Sequence, residues 1–416
     1  MLFGSSGIRR KYDLRFVELA VQVGSAMGRW GQGVVVGMDT RTTSPLLAEA
    51  VTAGCLATGV NVRPCGIAPT PSVAYASRHA DAGCMVTASH NPEEYNGLKL
   101  FNPDGSSFTQ AQQEEMEGEL LQKHTADWKG QGKSEYIDAV GIHRSAILDA
   151  LSPAAGITAV LDCGNGAGSV LSPSLLQQAG VQVRCLNCNV SGRFARPSEP
   201  LAENLSHVSA MVVKSGADCG IAHDGDADRM VGFDRRGRYV DGDRMLILFA
   251  RYLGAKRVVT TVDASMAIEE IAEVERTPVG DTYVSEKLME WGDFGGEPSG
   301  AWIFPHHSYC PDGPYAASLF CEIAGEWDIA AEVDRMPAYP IIRESFAYPD
   351  PAALLTALGA QKPTDGIRFR EEGGWCLIRA SGTEPKIRLT AEGKTRERAK
   401  QLMEKGKLLL KNAKIE

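Results

Sequence analysis

The stretch VVVGMDTRTTSPLLAEAVTAGCLATGVNVRPCG, Val34 to Gly66, decides the fold. It opens on a β-branched apolar run, Val34–Asp39, of the kind that suits a strand buried on both faces of a parallel sheet. A helical pattern follows. Ser44 is placed to cap it, Pro45 fits the first helical position, and Gly59 can end it. The pattern continues outward. Apolar runs at Gly83–Ala88, Ile157–Asp162, Val181–Leu186, Asp218–Asp224 and Arg257–Asp263 read as further buried strands with helices between them. The strand–helix unit recurs near residues 34–66, 157–186 and 257–280, which predicts α/β layers with helices on both sides of the sheets. The end of the chain differs. GWCLIRASGTEPKIRLTAEGK reads as two strands around a polar turn, and the helix after it places Ala399, Leu402, Met403 and Leu410 on one face, giving a smaller α+β domain.

The chain has 416 residues, too many for one core at roughly 100–200 residues per domain. Turn-rich segments at 130–136, 234–238 and 343–351 divide it into expected domains 1–135, 136–236, 237–343 and 344–416. Apolar residues make up 44% and charged ones 23%, a globular composition. No run of about 18 apolar residues suggests a membrane span, and the N-terminus lacks the apolar segment of a secretion signal. The net charge of −9 argues against nucleic acid as the main partner. Ten scattered cysteines include one close pair, Cys185 and Cys188, without the second pair that a cysteine zinc site needs. Free thiols in a reducing cytoplasm are expected.

Four polar clusters carry the chemistry. In VTASHNPEEYNGLKL, Ser89 follows a buried strand, where a loop faces the ligand crevice of an α/β sheet. Its hydroxyl needs a base or a metal to act as a nucleophile, and Lys99 could supply charge for a phosphate. A simple Ser/Asn/Pro turn is the alternative. In AHDGDADRM, Asp224, Asp226 and Asp228 alternate after a strand. Such carboxylates repel one another without a cation, and hard oxygen ligands favour Mg²⁺ or Ca²⁺. The EF-hand pattern fails, since Arg229 and Arg235 occupy its glycine and final glutamate positions. A solvated acidic turn and an aspartate-nucleophile phosphatase remain open. In GGEPSGAW, Glu297 and Ser299 are spaced to grip vicinal sugar hydroxyls, although an ordinary Gly/Pro loop has the same look. In RASGTEPKIR, the backbone of Ser381, Gly382 and Thr383 can form an anion-binding concavity with Arg379 as a bidentate phosphate grip, where a surface hairpin is the alternative. The glycine-rich DCGNGAGS does not spell a dinucleotide-binding motif.

Taken together and in this order, the clusters resemble the α-D-phosphohexomutase family, which includes phosphoglucomutase, phosphomannomutase and phosphoglucosamine mutase. The resemblance runs from FGSSGIRR (Phe3–Arg10) through GMDTR, TASHNP, DGDADR and GGEPSG to RASGTEP, nearly the whole chain. It implies four domains around a central cleft: three similar α/β domains with mixed sheets and a smaller C-terminal α+β domain. It implies that Ser89 carries a phosphoryl group and that Asp224, Asp226 and Asp228 hold one Mg²⁺ per chain together with that phosphate. Glu297 and Ser299 would read the sugar. Arg379, Ser381, Gly382 and Thr383 would clamp the non-reacting phosphate. Arg9, His90, Lys99 and Arg229 would stabilise charge or assist proton transfer. The implied reaction converts hexose 6-phosphate to hexose 1-phosphate through a hexose 1,6-bisphosphate, which also serves as activator. The implied enzyme is cytoplasmic, a monomer or homodimer, without nucleic-acid or membrane partners.

The sequence departs from the family pattern at Ser5 and Arg10 in the opening motif. In the sugar loop, Pro298 fills the variable position and Ala301 stands where a histidine is usual. Asp281 after Gly280 is similar to the phosphoglucosamine mutase branch, so glucosamine 6-phosphate is the expected substrate. Phosphomannomutase or phosphoglucomutase is the near alternative, and a Mg²⁺-dependent sugar phosphatase with Asp224 as nucleophile the more remote one. A sugar-phosphate binding protein without turnover is a third class.

Overall fold

The computed structural model describes residues 2–4, 6–122, 124–151, 156–360, 366–380 and 385–412. Ser5 and the Ser381–Gly382–Thr383 turn therefore lie outside the described residues.

The repeat read from the sequence is present as topology. In the first unit, strand Gly33–Met38 lies parallel to Asn61–Ile67 on one side and to Ala82–Val86 on the other. Ala82–Val86 then turns into the antiparallel strand Tyr95–Phe101. The second unit repeats this with Thr158–Asp162 between Gln182–Leu186 and Cys219–His223, and Met230–Asp234 antiparallel to the last. The third repeats it with Arg257–Thr261 between Glu273–Thr277 and Phe294–Gly296, followed by antiparallel Trp302–Ile303. The sheets are thus mixed. The fourth unit is a wholly antiparallel sheet in the order Ile341–Ala347, Lys386–Gly393, Gly374–Ala380, Ile367–Glu371, covered by helix Arg396–Asn412. Ala399, Leu402 and Met403 of that helix are buried, and Leu410 packs against the same core.

Three local expectations are corrected. Ser44 does not cap its helix. It is the first helical residue of Ser44–Ala57, and its hydroxyl donates instead to buried Asp39 at 2.5 Å. The strand at Val181–Leu186 is not buried on both faces, because Gln182–Leu186 is the edge strand of its sheet and is half exposed. The third crossover is a 3₁₀ helix, Met266–Glu270, rather than an α-helix.

The cores explain how the units hold together. One hydrophobic cluster is shared by the second and third units, with Phe249 packing edge-on against Trp302, Phe294 and Phe304. Such aromatic contacts each add about 0.5–1.5 kcal/mol beyond area burial. The fourth unit has its own core and meets the third through fully buried Glu392. That carboxylate accepts from the Met266 backbone at 2.7 Å and from Trp375 Nε1 at 2.6 Å. Among the described residues no helix is long and apolar enough to cross a membrane, and all ten cysteines are free thiols.

Candidate active site

The repeat places the chemistry. In each α/β unit the polar motif occupies the same connection, between the third strand and its antiparallel neighbour. These are the loops holding Ser89, the three aspartates, and Glu297 with Ser299. The loops also meet. Thr70 of the first unit donates its backbone N–H to the Asp226 carbonyl at 2.9 Å and its hydroxyl to Asp226 Oδ2 at 2.6 Å. Arg229 of the second unit forms a β-bridge with Ala301 of the third. A Cβ at Gly225 would come within 2.7 Å of the Ser89 carbonyl, so this closely approached position requires glycine.

Ser89 is held in a left-handed conformation, φ 49°, and so is Ala227 in the aspartate loop, φ 56°. For residues other than glycine such backbone costs about 1–3 kcal/mol and persists where surroundings impose it. Here the imposing residue is Arg41, which is buried. Its Nε donates to Asp39 at 3.0 Å. Nη1 donates to the carbonyls of Pro92 and Tyr95 at 2.7 and 3.0 Å, and Nη2 to those of Ser89 and Asn91 at 2.8 Å each. One planar fork therefore fixes the whole Ser89 loop. The Ser89 backbone N–H donates to Thr87 Oγ1 at 2.9 Å, and its hydroxyl donates to Asp224 Oδ2 at 2.7 Å.

Asp224, Asp226 and Asp228 are all buried, and each presents a carboxylate oxygen within 4.8 Å of the others. Lys99 Nζ reaches Asp226 Oδ2 at 2.8 Å and Asp228 Oδ2 at 2.5 Å. The charges remain unbalanced. Burial, with the negative charges of Asp228 and Asp226, pushes the Asp224 carboxyl well above the usual carboxylate range. Burial also acts on Asp226, but the Lys99 ammonium and the Thr70 hydroxyl outweigh it and hold that carboxyl low. Asp228 is raised by burial and by Asp226. Asp226 Oδ1 and Asp228 Oδ1 are buried without a hydrogen-bond partner. Two orphaned hard oxygens in a trio short of positive charge are what a divalent cation would satisfy, so these residues fit Mg²⁺.

The other expected residues are placed as follows. His90 Nδ1 is 3.3 Å from Ser89 Oγ, and the charge of Arg229, burial and the charge of Arg9 push its imidazole down to about 2. It is neutral at any working pH. Arg9 Nη1 donates to Asn91 Oδ1 at 3.2 Å, and the Arg229 backbone N–H donates to Asp224 Oδ1 at 3.2 Å. Burial opposes protonation of Lys99, but Asp226 and Asp228 raise it above its usual value, so here it is a fixed charge rather than a base. Glu297 accepts from the Gly280 N–H at 2.8 Å and from Ser299 Oγ at 3.3 Å. Burial and the charge of Asp281 push its carboxyl up to about 7. Arg379, next to last in strand Gly374–Ala380, lies directly opposite Arg388. Like charges facing across strands disfavour each other unless an anion lies between them. Arg41, Thr70 and Arg388 were given no role in the sequence reading. The signal for Arg41 was present in GMDTR, directly after a strand whose neighbour carries Ser89.

Four family models, all described as phosphoglucomutase/phosphomannomutase, match in order: α/β/α domain I over residues 1–127, domain II over 134–237, domain III over 241–338 and the C-terminal domain over 345–406. The chain belongs to the phosphoglucomutase/phosphomannomutase family. Membership makes it a phosphohexomutase, an isomerase that moves a phosphoryl group within a hexose phosphate. The chain is 43% identical to a probable phosphoglucosamine mutase of Methanosarcina acetivorans, covering 99% of both chains. It is 40% identical to a phosphoglucosamine mutase of Methanococcus aeolicus, covering 99% of this chain and 98% of that one. Among solved structures, a phosphoglucomutase/phosphomannomutase family protein of Burkholderia thailandensis superposes with a TM-score of 0.88 at 26% identity, covering 99% of this chain and 97% of that one. This phosphohexomutase accordingly has the expected architecture, three similar α/β domains and a smaller C-terminal domain.

Proposed function

We propose that this phosphohexomutase interconverts glucosamine 6-phosphate and glucosamine 1-phosphate, with Ser89 as the phosphoryl carrier. The observation that supports it best is the hydroxyl of Ser89, on strained backbone, 2.7 Å from one of three buried aspartates, two of which share the single Lys99 ammonium. The sugar assignment rests on Asp281 beside Glu297 and on relatives named phosphoglucosamine mutase.

In the resting enzyme Ser89 carries the phosphoryl group. The free hydroxyl of the bound sugar phosphate attacks that phosphorus, the Ser89 Oγ–P bond breaks, and a 1,6-bisphosphate forms. The bisphosphate reorients in the cleft, and its other phosphoryl group returns to Ser89. Asp224, Asp226 and Asp228 would hold Mg²⁺, which when bound would supply positive charge toward the transferring group. Arg41 keeps the Ser89 loop in line, Lys99, Arg229 and Arg9 supply fixed positive charge, and neutral His90 is placed to hydrogen-bond the bridging oxygen. Glu297 and Ser299 orient the sugar, and Arg379 with Ser381, Gly382 and Thr383 grips the phosphate that is not reacting. A trace of hexose 1,6-bisphosphate keeps Ser89 charged. The reading has the enzyme at work in the cytoplasm, as a monomer or homodimer.

A phosphatase using Asp224 as nucleophile is less well supported, because Asp224 Oδ2 is already engaged by the Ser89 hydroxyl. The test supplies Mg²⁺, trace bisphosphate, and glucosamine, glucose or mannose 1-phosphate separately. Fastest formation of glucosamine 6-phosphate without inorganic phosphate is expected. A faster rate with mannose or glucose would overturn the sugar assignment, and release of inorganic phosphate without isomer would overturn the mutase mechanism.

A further inference from the structure

A second polar cluster lies outside the site. His143, His307 and Asp312 are all buried and bring one ring nitrogen of each histidine and a carboxylate oxygen within 4.8 Å of one another. Three parts of the chain meet there. His143 belongs to helix Ala139–Ala150 and Asp312 caps helix Gly313–Glu326. Ser72 and Tyr75, on helix Thr70–Ala76 of the first unit, close the cluster.

Ser72, His143 and Asp312 form a hydrogen-bonded Ser–His–Asp chain, Ser72 Oγ to His143 Nδ1 at 2.9 Å and His143 Nε2 to Asp312 Oδ2 at 2.8 Å. It is no hydrolytic triad, since Ser72 and His143 are fully buried and no substrate can reach the hydroxyl. That chain also leaves His307 unexplained. Its Nε2 faces Asp312 Oδ2 at 3.5 Å, is buried, and has no hydrogen-bond partner. An orphaned imidazole nitrogen beside a carboxylate that a second imidazole also addresses is the donor set of a metal site. In a tetrahedral zinc site with bonds of about 2.0–2.1 Å, ligand atoms stand about 3.3 Å apart. The distances from Asp312 Oδ2, 2.8 and 3.5 Å, lie on either side of that value.

The surroundings orient these donors. Ser72 holds His143 Nδ1, and the Tyr315 N–H donates to Asp312 Oδ1 at 2.9 Å. The Tyr75 ring stacks on both imidazoles, at 5.3 and 4.9 Å. Outer contacts of this kind fix ring orientation at metal centres. Two imidazoles and one carboxylate suit zinc and its neighbours in the first transition row, whereas Mg²⁺ prefers oxygen.

We propose that His143, His307 and Asp312 bind one zinc-class divalent ion that ties the second unit to the third, with Ser72 and Tyr75 of the first unit packed against its ligands, separately from the Mg²⁺ site. The full-length protein, dialysed against chelator and given one equivalent of Zn²⁺ in excess Mg²⁺, is passed through a desalting column and its metal measured. One zinc per chain is expected in the wild type and in Asp226→Ala. At least tenfold weaker retention is expected in His307→Ala. Co²⁺ loaded into wild type and into Asp226→Ala should give the visible ligand-field absorption of a four-coordinate nitrogen/oxygen site, a readout that does not depend on His307→Ala folding. No retained zinc and no cobalt band in the wild type would overturn the proposal. So would zinc retained equally by His307→Ala, or lost from Asp226→Ala, which would assign it to the aspartate trio.

Discussion

Arg41→Lys tests whether one guanidinium sets the Ser89 loop. Lysine keeps the charge beside Asp39 but concentrates its donors at one point. The arginine fork spans Asp39 on one edge and the carbonyls of Ser89, Asn91, Pro92 and Tyr95 on the other. At least two of those contacts must fail. Hydrogen bonds from charged groups contribute about 1.5–3 kcal/mol each, so two are worth about 3–6 kcal/mol. The Ser89 carbonyl keeps a second donor, Ser198 Oγ at 3.1 Å, which favours the low end, about 3 kcal/mol. At 1.4 kcal/mol per factor of ten, that is roughly a hundredfold increase in local opening. Native-state hydrogen exchange reads it directly. Amides in residues 87–95 should exchange roughly a hundredfold faster, while those of strand Ala82–Val86, fully buried between two paired strands, should not change. Turnover should fall by a similar factor, because a displacement of about 1 Å at a reacting group costs about that much. Exchange within twofold of wild type across the loop would refute the assignment of Arg41 as its organiser.

Ser89→Ala should lose nearly all mutase turnover yet keep its fold, as seen by an unchanged circular dichroism spectrum; full activity would remove Ser89 as carrier. Lys99→Met strips the cation from two buried carboxylates, and breaking such pairs costs about 3–5 kcal/mol. Its melting temperature should drop in chelator and partly recover in Mg²⁺, and an equal drop in both would show that Lys99 does not substitute for a metal. Glu297 has a folded value of about 7, above its ordinary 4.5. Its contribution is therefore fully present below about pH 4.5 and is lost as pH rises toward 7, a change of up to about 3 kcal/mol. Urea titrations at pH 5 and pH 8 should show Glu297→Gln gaining stability relative to wild type at the higher pH, and no relative gain would contradict the raised value.

Much of this was legible in the sequence because it is local. Buried strands announce themselves as β-branched runs, so Val34–Asp39 and Arg257–Asp263 coincide with Gly33–Met38 and Arg257–Thr261 within a few residues. The motif order gave the family. What was illegible depends on distance. Val181–Leu186 has a strand's composition, but composition does not say that a strand lies at a sheet edge. Ser44 is an ordinary cap by type, and only the position of Asp39 diverts its hydroxyl. His143 and Asp312 stand 169 residues apart and share no motif, so nothing short of the fold could bring them together.

The repeat explains why the chemistry sits where it does. Each α/β unit ends its third strand at the same edge and must turn back through a short loop into an antiparallel partner. Such a loop projects beyond the carboxyl ends of the parallel strands, where α/β sheets bind ligands. Three copies of one topological element, brought together by the Thr70–Asp226 and Arg229–Ala301 contacts, therefore supply the carrier, cation site and sugar reader of the proposed reaction without any unit holding all three. The fourth unit breaks the pattern in fold and attachment alike. It has its own core and joins the third unit through a small apolar cluster, Met266 with Trp375 and Leu377, and through polar contacts such as those of Glu392 and the Arg370–Glu269 pair. A small mixed interface between domains permits relative motion where a large shared apolar core does not. A unit held in this way can release and regrip a phosphate while a bisphosphate turns between two nearly equivalent ends, which is the motion the proposed reaction requires.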